Sequence, residues 1–145
     1  MNVKTPECKL RLSEMVLMLA EAYCHKGDSE KALKWLNELR RNRIEGVSGL
    51  TVGTLPEVRE GDRIVVDCYG KPLTPLLQAI FDERRKEMYM EGDRWYELKR
   101  NGCPEWWIIS NGLKYTTKAY LYTSPISKSD VDLNPGLEQN PGYVY

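Results

Sequence analysis

Three carboxylates recur at four-residue spacing in the stretch FDERRKEMYMEG, namely Glu83, Glu87 and Glu91. Two carboxyl groups placed on either side of a glycosidic bond can hydrolyse it, one as the acid and the other as base or nucleophile. Such pairs face each other across a cleft, whereas these three share one edge of a single predicted helix. Basic residues occupy positions 84–86 beside them. We therefore expect ion pairs on a structural helix and no enzymatic activity.

The other reactive side chains form no recognisable catalytic or cofactor-binding set. His25 is the only histidine, and the sequence places no serine or cysteine to use it as a base. The four cysteines contain no C-x-x-C pair, which argues against a zinc site. Neither a G-x-G-x-x-G motif nor a Walker-type loop occurs, so nucleotide binding has no support. We predict no metal and no cofactor.

Aromatic residues near the C-terminus suit ligand binding better. The chain has nine Tyr and four Trp but one Phe, and two of the indoles are adjacent at Trp106 and Trp107, with Tyr115 nearby. An exposed indole can stack on the apolar face of a sugar ring while the sugar hydroxyls stay in water. The alternative interpretation, which we favour over sugar stacking, is that one indole anchors a loop and the other is exposed without a binding role. Both interpretations stay open at this stage.

The charge balance limits the classes of partner. Lys plus Arg and Asp plus Glu both total 21 over 145 residues, so the formal net charge is zero. A neutral chain with dispersed basic residues does not favour nucleic-acid binding. No stretch approaches the roughly 20 apolar residues of a membrane span. The N-terminus lacks the pattern of a secretory signal, so we expect no export address on this chain taken alone.

Helical periodicity dominates the first third of the chain. Apolar residues at helical spacing predict one helix over about residues 10–25 and a second that is capped by Asp28 or Ser29 and ends near Arg43. Gly27 separates them, and so short a connection forces an antiparallel hairpin. The spacing of small and large residues over 10–43 is that of a tetratricopeptide unit. The continuous apolar run over residues 15–20 predicts a helix covered on more than one side.

The rest of the chain divides by composition. Residues 44–73 are rich in glycine and predict an irregular insertion, with one short strand at residues 63–69. Residues 74–100 predict a third helix to about Met90 and a fourth over residues 94–100. Residues 101–145 predict wrapping loops, with turns at the repeated Asn-Pro-Gly. The predicted fold is one mainly α domain over residues 1–145: a tetratricopeptide-like hairpin, two further helices and a loop-rich aromatic tail.

An apolar stripe through residues 77–98 is interrupted by charge. Arg84 and Glu91 are seven residues apart and fall on the apolar face of the third predicted helix. Charges on a face that packs against other elements must be paired, because an unpaired buried charge costs stability. We therefore expect an ionic network to hold this segment against the hairpin.

Four blocks of sequence resemble the SusD/RagB family of outer-membrane glycan-binding lipoproteins. They are LRLSEMVLMLAEA at residues 10–22, GDSEKALKWLNELR at 27–40, the stretch from Asp82 to Arg100, and the closing SPI…NPGLEQNPGY. The blocks occur in the family's order over nearly the whole chain, apart from residues 44–71. Two features depart from the family pattern: Ser127 stands where a second proline is usual, and the segment between the second and third helices is longer.

The resemblance implies a function and a partner. Family members capture oligosaccharides at the bacterial outer membrane, without catalysis, together with a SusC-like TonB-dependent transporter, and are several times longer than this chain. The resemblance therefore implies a C-terminal part of such a surface lipoprotein. Four residues match the family hallmark and are expected to hold the fold and face a partner: Arg84, Glu91, Arg94 and Trp95. No ligand residue carries over, so Trp106, Trp107 and Tyr115 are ligand candidates on their chemistry alone.

A different class of function stays open. A small helical adaptor could bind a peptide or protein in the groove of the tetratricopeptide-like hairpin. One hairpin offers little concave surface, which disfavours this alternative.

Overall fold

The computed structural model of the protein describes residues 11–144, which form five α-helices and one two-stranded sheet. This part of the chain divides into two compact units. The first comprises the residues up to Glu60 together with Pro72–Arg94. The second comprises Gly61–Lys71 and the residues from Trp95 onward. The predicted mainly helical class is confirmed.

The first unit begins with the predicted antiparallel hairpin. Helix α1 spans Leu12–His25 and α2 spans Ser29–Arg41. Gly27 adopts a left-handed φ of 78° in the turn between them, a conformation that glycine adopts without steric cost. Asp28 caps α2, because its carboxylate accepts the backbone N–H of Lys31 at 3.1 Å.

Helix α3, Pro75–Glu87, packs against both helices of the hairpin. Its start is as predicted: proline occupies the first turn, and the Thr74 hydroxyl accepts the Leu77 N–H at 3.3 Å. The shared core consists of alanines and branched aliphatics, and the alanines let the helix backbones approach closely. Its buried members are Leu17, Ala20, Ala32, Leu33, Leu36, Leu39, Leu76, Ala79 and Ile80.

Helix α3 is shorter than the sequence predicts. It ends at Glu87 and not near Met90, because the next residues turn away through left-handed conformations at Met90 (φ 65°) and Gly92 (φ 79°). Helix α4 then spans Asp93–Arg100. Its residues from Trp95 onward belong to the second unit, where Leu98 and Asn101 are buried.

The main feature of the second unit is a β-hairpin, which was not among the predicted elements. Strand β1, Trp106–Ser110, pairs antiparallel with β2, Leu113–Thr117, so the predicted wrapping loops are wrong for these residues. Asn111 (φ 50°) and Gly112 (φ 76°) form the two-residue turn that matches the twist of a hairpin. The tail also contains a short helix α5, Lys128–Leu133, before turns at the two Asn-Pro-Gly sites.

The strand predicted at residues 63–69 is wrong. Within this stretch, Val66 alone takes part in a β-bridge, and that bridge is isolated. The chain turns immediately after it. The Asp67 carboxylate accepts the backbone N–H groups of Tyr69 at 2.9 Å and Lys71 at 2.8 Å. Local side-chain hydrogen bonds of this kind compete with a strand ladder, and here they close a turn instead.

The outer face of α1 is apolar and exposed. Met15 and Met18 are both more than half exposed, and Leu12 and Leu19 extend the same surface. The sequence predicted that other residues would pack against a second side of this helix. Among residues 11–144, no residue buries that side, and its apolar side chains remain exposed. Among the helices of the same range, none is long and apolar enough to cross a membrane.

Candidate functional site

Arg84 forms the buried ionic contact that the sequence predicted. The residue is 7% exposed. Its Nε and Nη2 donate to the two carboxylate oxygens of Asp93 at 2.9 and 2.8 Å, and Nη2 also donates to Glu14 on α1 at 3.0 Å. A planar guanidinium matches a carboxylate through two parallel hydrogen bonds. Arg84 thus ties α3 both to α1 and to the first residue of α4.

Glu87, and not Glu91, is the centre of a second ionic contact. Arg11, which precedes α1, donates to Glu87 at 2.6 Å, and Arg43, which follows α2, donates to both of its carboxylate oxygens at 2.9 and 2.8 Å. The Arg43 hydrogen bonds hold the pKa of the Glu87 carboxyl below its usual value, against the effect of partial burial. A hydrogen bond from Ser13 and the charge of Arg11 act in the same direction as Arg43.

The predicted placement of Glu91 on the face of α3 is wrong. The helix has already ended at Glu87, so Glu91 does not share a helical face with Arg84. Glu91 instead contacts Arg11 on the surface of the first unit, whereas Arg84 contacts Glu14. The two hallmark residues therefore belong to different ion pairs. The residue is still part of an ionic network, but through the Arg11 guanidinium.

The third glutamate of the series is also bound by cations. Glu83 contacts Arg40 on α2 and accepts a hydrogen bond from Lys86 at 2.9 Å. Glu83 and Glu87 are therefore each held by two cations, as the structural interpretation of this series expects. Because the hydrogen bonds from Arg43 lower the pKa of Glu87, that carboxyl is poorly suited to donate a proton to a leaving group.

The two other hallmark residues lie at the start of α4. Arg94 is half-buried. Trp95 stacks on Tyr122, with ring centroids 4.4 Å apart and the ring planes 23° from parallel. Such an offset stack stabilises by about 0.5–1.5 kcal/mol beyond the area it buries. Trp95 thus has a structural contact inside the second unit.

The two adjacent tryptophans lie on opposite faces of the β-hairpin, since successive strand residues point to opposite sides. The Trp106 indole donates to the Tyr122 hydroxyl at 3.0 Å, and that hydroxyl donates to the Pro104 carbonyl at 2.9 Å. Arg63 lies 4.4 Å from the centroid of the Trp106 ring. Trp106 therefore anchors the hairpin, and its ring is occupied by protein contacts.

Trp107 is the accessible indole, 53% exposed. The strand register places Thr116 opposite Trp107 and Lys114 opposite Ile109, so these four side chains share one side of the hairpin. We call this side, formed by Trp107, Ile109, Lys114 and Thr116, the Trp107 face. Tyr115 is also about half exposed but pairs with Ile108 on the opposite face. The three predicted ligand candidates are thus not brought together on one surface.

Lys114 was not among the predicted ligand candidates, and its ammonium lies 4.9 Å from the Trp107 ring centroid. The sequence contains a pattern from which the position of Lys114 beside Trp107 could have been predicted. The dipeptide Asn111–Gly112 stands between two runs of β-branched and aromatic residues, the strongest local pattern for a tight hairpin. Counting back from that turn would have paired Ile109 with Lys114 and separated Trp106 from Trp107.

Comparison with known proteins shows what the chain resembles. The model of the SusD family matches residues 2–143. SusD-like protein P38 of Formosa agariphila is 32% identical over 134 residues, which cover 92% of this chain and 24% of that protein. The chain therefore spans about a quarter of the length of this relative.

Two solved structures are similar in fold. A SusD-like protein from Bacteroides fragilis superposes with a TM-score of 0.59 at 26% identity, covering 92% of this chain and 25% of that one. A second structure, BT4246, superposes with a TM-score of 0.63 at 23% identity and shares the fold, covering 96% of this chain and 24% of that one. The family match extends over nearly every residue from the helical hairpin to the final Asn-Pro-Gly turn, and the chain belongs to the SusD family.

Proposed function

We propose that this chain is part of a non-enzymatic, nutrient-binding protein of the bacterial outer membrane. In this proposal the full-length protein captures oligosaccharides at the cell surface and passes them to a SusC-like TonB-dependent transporter. The observation that carries the proposal is the match to the SusD family over residues 2–143. The chain corresponds to about a quarter of its relatives, so capture and import are proposed for the longer protein.

The hallmark residues are proposed to hold the fold and not to bind sugar. Arg84 is bound by Glu14 and Asp93, and Glu91 is bound by Arg11, which supports a structural role for both. Trp95 is engaged by Tyr122. A partner-facing role of Arg94 and of the exposed part of Trp95 is tested by mutating each residue in the full-length protein and capturing its complex with the transporter. Mutation of a partner-facing residue should reduce the amount of transporter recovered.

Sugar stacking is proposed for the hairpin, with Trp107 as the main platform. Its indole is about half exposed, whereas the Trp106 ring is covered by Arg63 and held by Tyr122. Tyr115 offers a smaller aromatic surface on the opposite face. Stacking on an aromatic ring buries the C–H surface of a sugar, which is favourable at about 25 cal/mol per Å².

A panel of oligosaccharides titrated into the purified 145-residue chain tests this proposal. We expect at least one oligosaccharide to bind, and Trp107→Ala to weaken that binding about tenfold, corresponding to about 1.4 kcal/mol. Tyr89→Ala is the matched control, because Tyr89 is an exposed aromatic outside the hairpin. If no oligosaccharide in the panel binds, or if both variants bind like the wild type, the hairpin is not the sugar platform.

A protein adaptor is the second candidate function, and the open face of α1 favours it. Met15 and Met18 present flexible, polarisable side chains of the kind found on surfaces that bind helical peptides. An adaptor would bind a peptide at micromolar concentration without responding to sugars. Met15→Glu would abolish that binding, whereas Lys34→Glu on the polar side of α2 would not.

A further inference from the structure

The Trp107 face combines an accessible aromatic ring with a positive charge that no carboxylate within residues 11–144 contacts. The Lys114 ammonium lies 4.9 Å from the centroid of the Trp107 ring. The only acid in the segment from Pro104 to Lys118 is Glu105, and it pairs with Lys118 at 2.9 Å. In the part of the chain that the structure describes, no carboxylate contacts Lys114. The charge beside the indole is therefore available to a ligand.

The other side chains of the Trp107 face suit the same ligand. Thr116 lies directly across the ladder from Trp107 and offers a hydroxyl that can donate to or accept from a sugar. Ile109, across from Lys114, is 67% exposed and extends the apolar surface. An aromatic ring, an apolar neighbour, a hydroxyl and a cation thus lie at adjacent positions on one face of the hairpin.

We propose, on the basis of the sugar-binding function proposed above, that the Trp107 face binds a sugar ring that carries an anionic group. The ring stacks on the Trp107 indole, and the Lys114 ammonium moves from the indole to a carboxylate or sulfate on the sugar. Charge-assisted hydrogen bonds of this kind are shorter and stronger than those between neutral groups. The same geometry disfavours a sugar that carries a cationic amino group, since its charge would lie beside Lys114.

A second lysine–tryptophan pair in the chain provides the matched control. Lys34 lies 5.8 Å from the Trp35 ring centroid on α2. Trp35 is packed against the helical core, so a sugar cannot stack on it as it can on Trp107. Replacing Lys34 removes the same charge from the same type of pair without touching the proposed site.

The test compares one sugar with and without its charge. Oligogalacturonate and its fully methyl-esterified form are titrated separately into the full 145-residue chain, while the four indole N–H resonances are followed by NMR. A sulfated galactan oligosaccharide and its desulfated form make a second arm, which distinguishes sulfate from carboxylate. We expect the charged member of at least one pair to bind more tightly and to shift the Trp107 resonance first.

Two variants isolate the contribution of Lys114. Lys114→Gln is expected to weaken binding of the charged sugar roughly fivefold, the upper range for an exposed ion pair, and to leave the uncharged form unchanged. Added salt should reduce the wild-type preference and have little effect on the variant. Lys34→Gln should behave like the wild type throughout.

The outcomes separate this inference from the function on which it rests. If charged and uncharged sugars bind equally and Lys114→Gln changes neither, the anionic preference is wrong while sugar binding stands. If the charged sugars shift other indoles and leave Trp107 unmoved, the site is wrong. If none of the four sugars binds at all, the inference is overturned, and the oligosaccharide panel then decides whether the broader function survives.

Discussion

Arg43 and Glu87 face each other through two parallel hydrogen bonds, Nε to Oε2 at 2.9 Å and Nη2 to Oε1 at 2.8 Å. Arg43 follows the end of α2, Glu87 is the last residue of α3, and Arg11 approaches the same carboxylate from the start of α1. One carboxylate therefore joins the ends of three helices. The physical consequence is a dependence of stability on the ionisation of Glu87.

Acid is expected to weaken the first unit through Glu87. The Arg43 hydrogen bonds lower the pKa of the Glu87 carboxyl in the folded state. Glu87 therefore contributes stability that is fully present above its pKa in the unfolded chain, which is about 4.3. That contribution is lost as the pH falls through the lower, folded pKa. Free energies of unfolding measured in urea between pH 7 and pH 3 should fall less steeply for Glu87→Gln than for the wild type. Parallel curves would contradict the role of Glu87.

Neighbouring arginines in α3 should differ sharply in their effect on stability. Arg84→Ala is expected to lower the free energy of unfolding by about 3 kcal/mol, because it leaves Glu14 and Asp93 without their cation. Arg85 is about half exposed and lies 3.9 Å from Asp82, so Arg85→Ala should change stability by less than about 0.5 kcal/mol. Chemical denaturation of both variants makes the comparison, and equal midpoints would contradict a buried Arg84 network.

The hairpin turn should depend on its glycine. Gly112 has a φ of 76°, where a side chain is strained, so Gly112→Ala should destabilise the hairpin by about 1–2 kcal/mol. Gly136 lies in open space without a left-handed φ, and Gly136→Ala serves as the control. Amide hydrogen exchange in β1 and β2 is the direct readout. Unchanged protection in the Gly112 variant would mean that the turn is not the one described.

Substitutions at the two adjacent tryptophans, Trp106 and Trp107, should differ in their effect on stability. Trp106→Phe removes the indole hydrogen bond to Tyr122 and should lower the free energy of unfolding by about 1 kcal/mol. Trp107→Phe removes no hydrogen bond that the structure gives and should stay within about 0.5 kcal/mol of the wild type. Thermal unfolding distinguishes them. A larger loss for Trp107 than for Trp106 would reverse the assignment of anchor and platform.

Sequence reasoning succeeded where local signals agree with the fold. The Asp28 cap, the Gly27 turn and the Thr74–Pro75 start place α1, α2 and α3 within a few residues of their observed positions. The buried role of Arg84 was also predictable, because a charge on an apolar stripe needs partners. Its partners were not predictable: Glu14 is 70 residues away along the chain, and only the packing of α3 on α1 brings it close.

The failures have physical causes of two kinds. Residues 63–69 have strand-like composition, but the Asp67 carboxylate binds two backbone N–H groups and forms a turn instead. Glu91 follows a helical spacing, but the helix ends before it through Met90 and Gly92. In both cases a local backbone turn overrides a periodic pattern. The β-hairpin was missed for another reason, since its Asn-Gly turn lies in a turn-rich segment whose composition predicts loops.

The function proposed for the longer protein is glycan import together with a TonB-dependent transporter. The most direct test is affinity capture of the native protein from detergent-solubilised outer membranes of its host, followed by mass spectrometry of the recovered proteins. We predict that a SusC-like transporter is recovered in near-equal amount. Abundant, folded bait that recovers no transporter would contradict the claim.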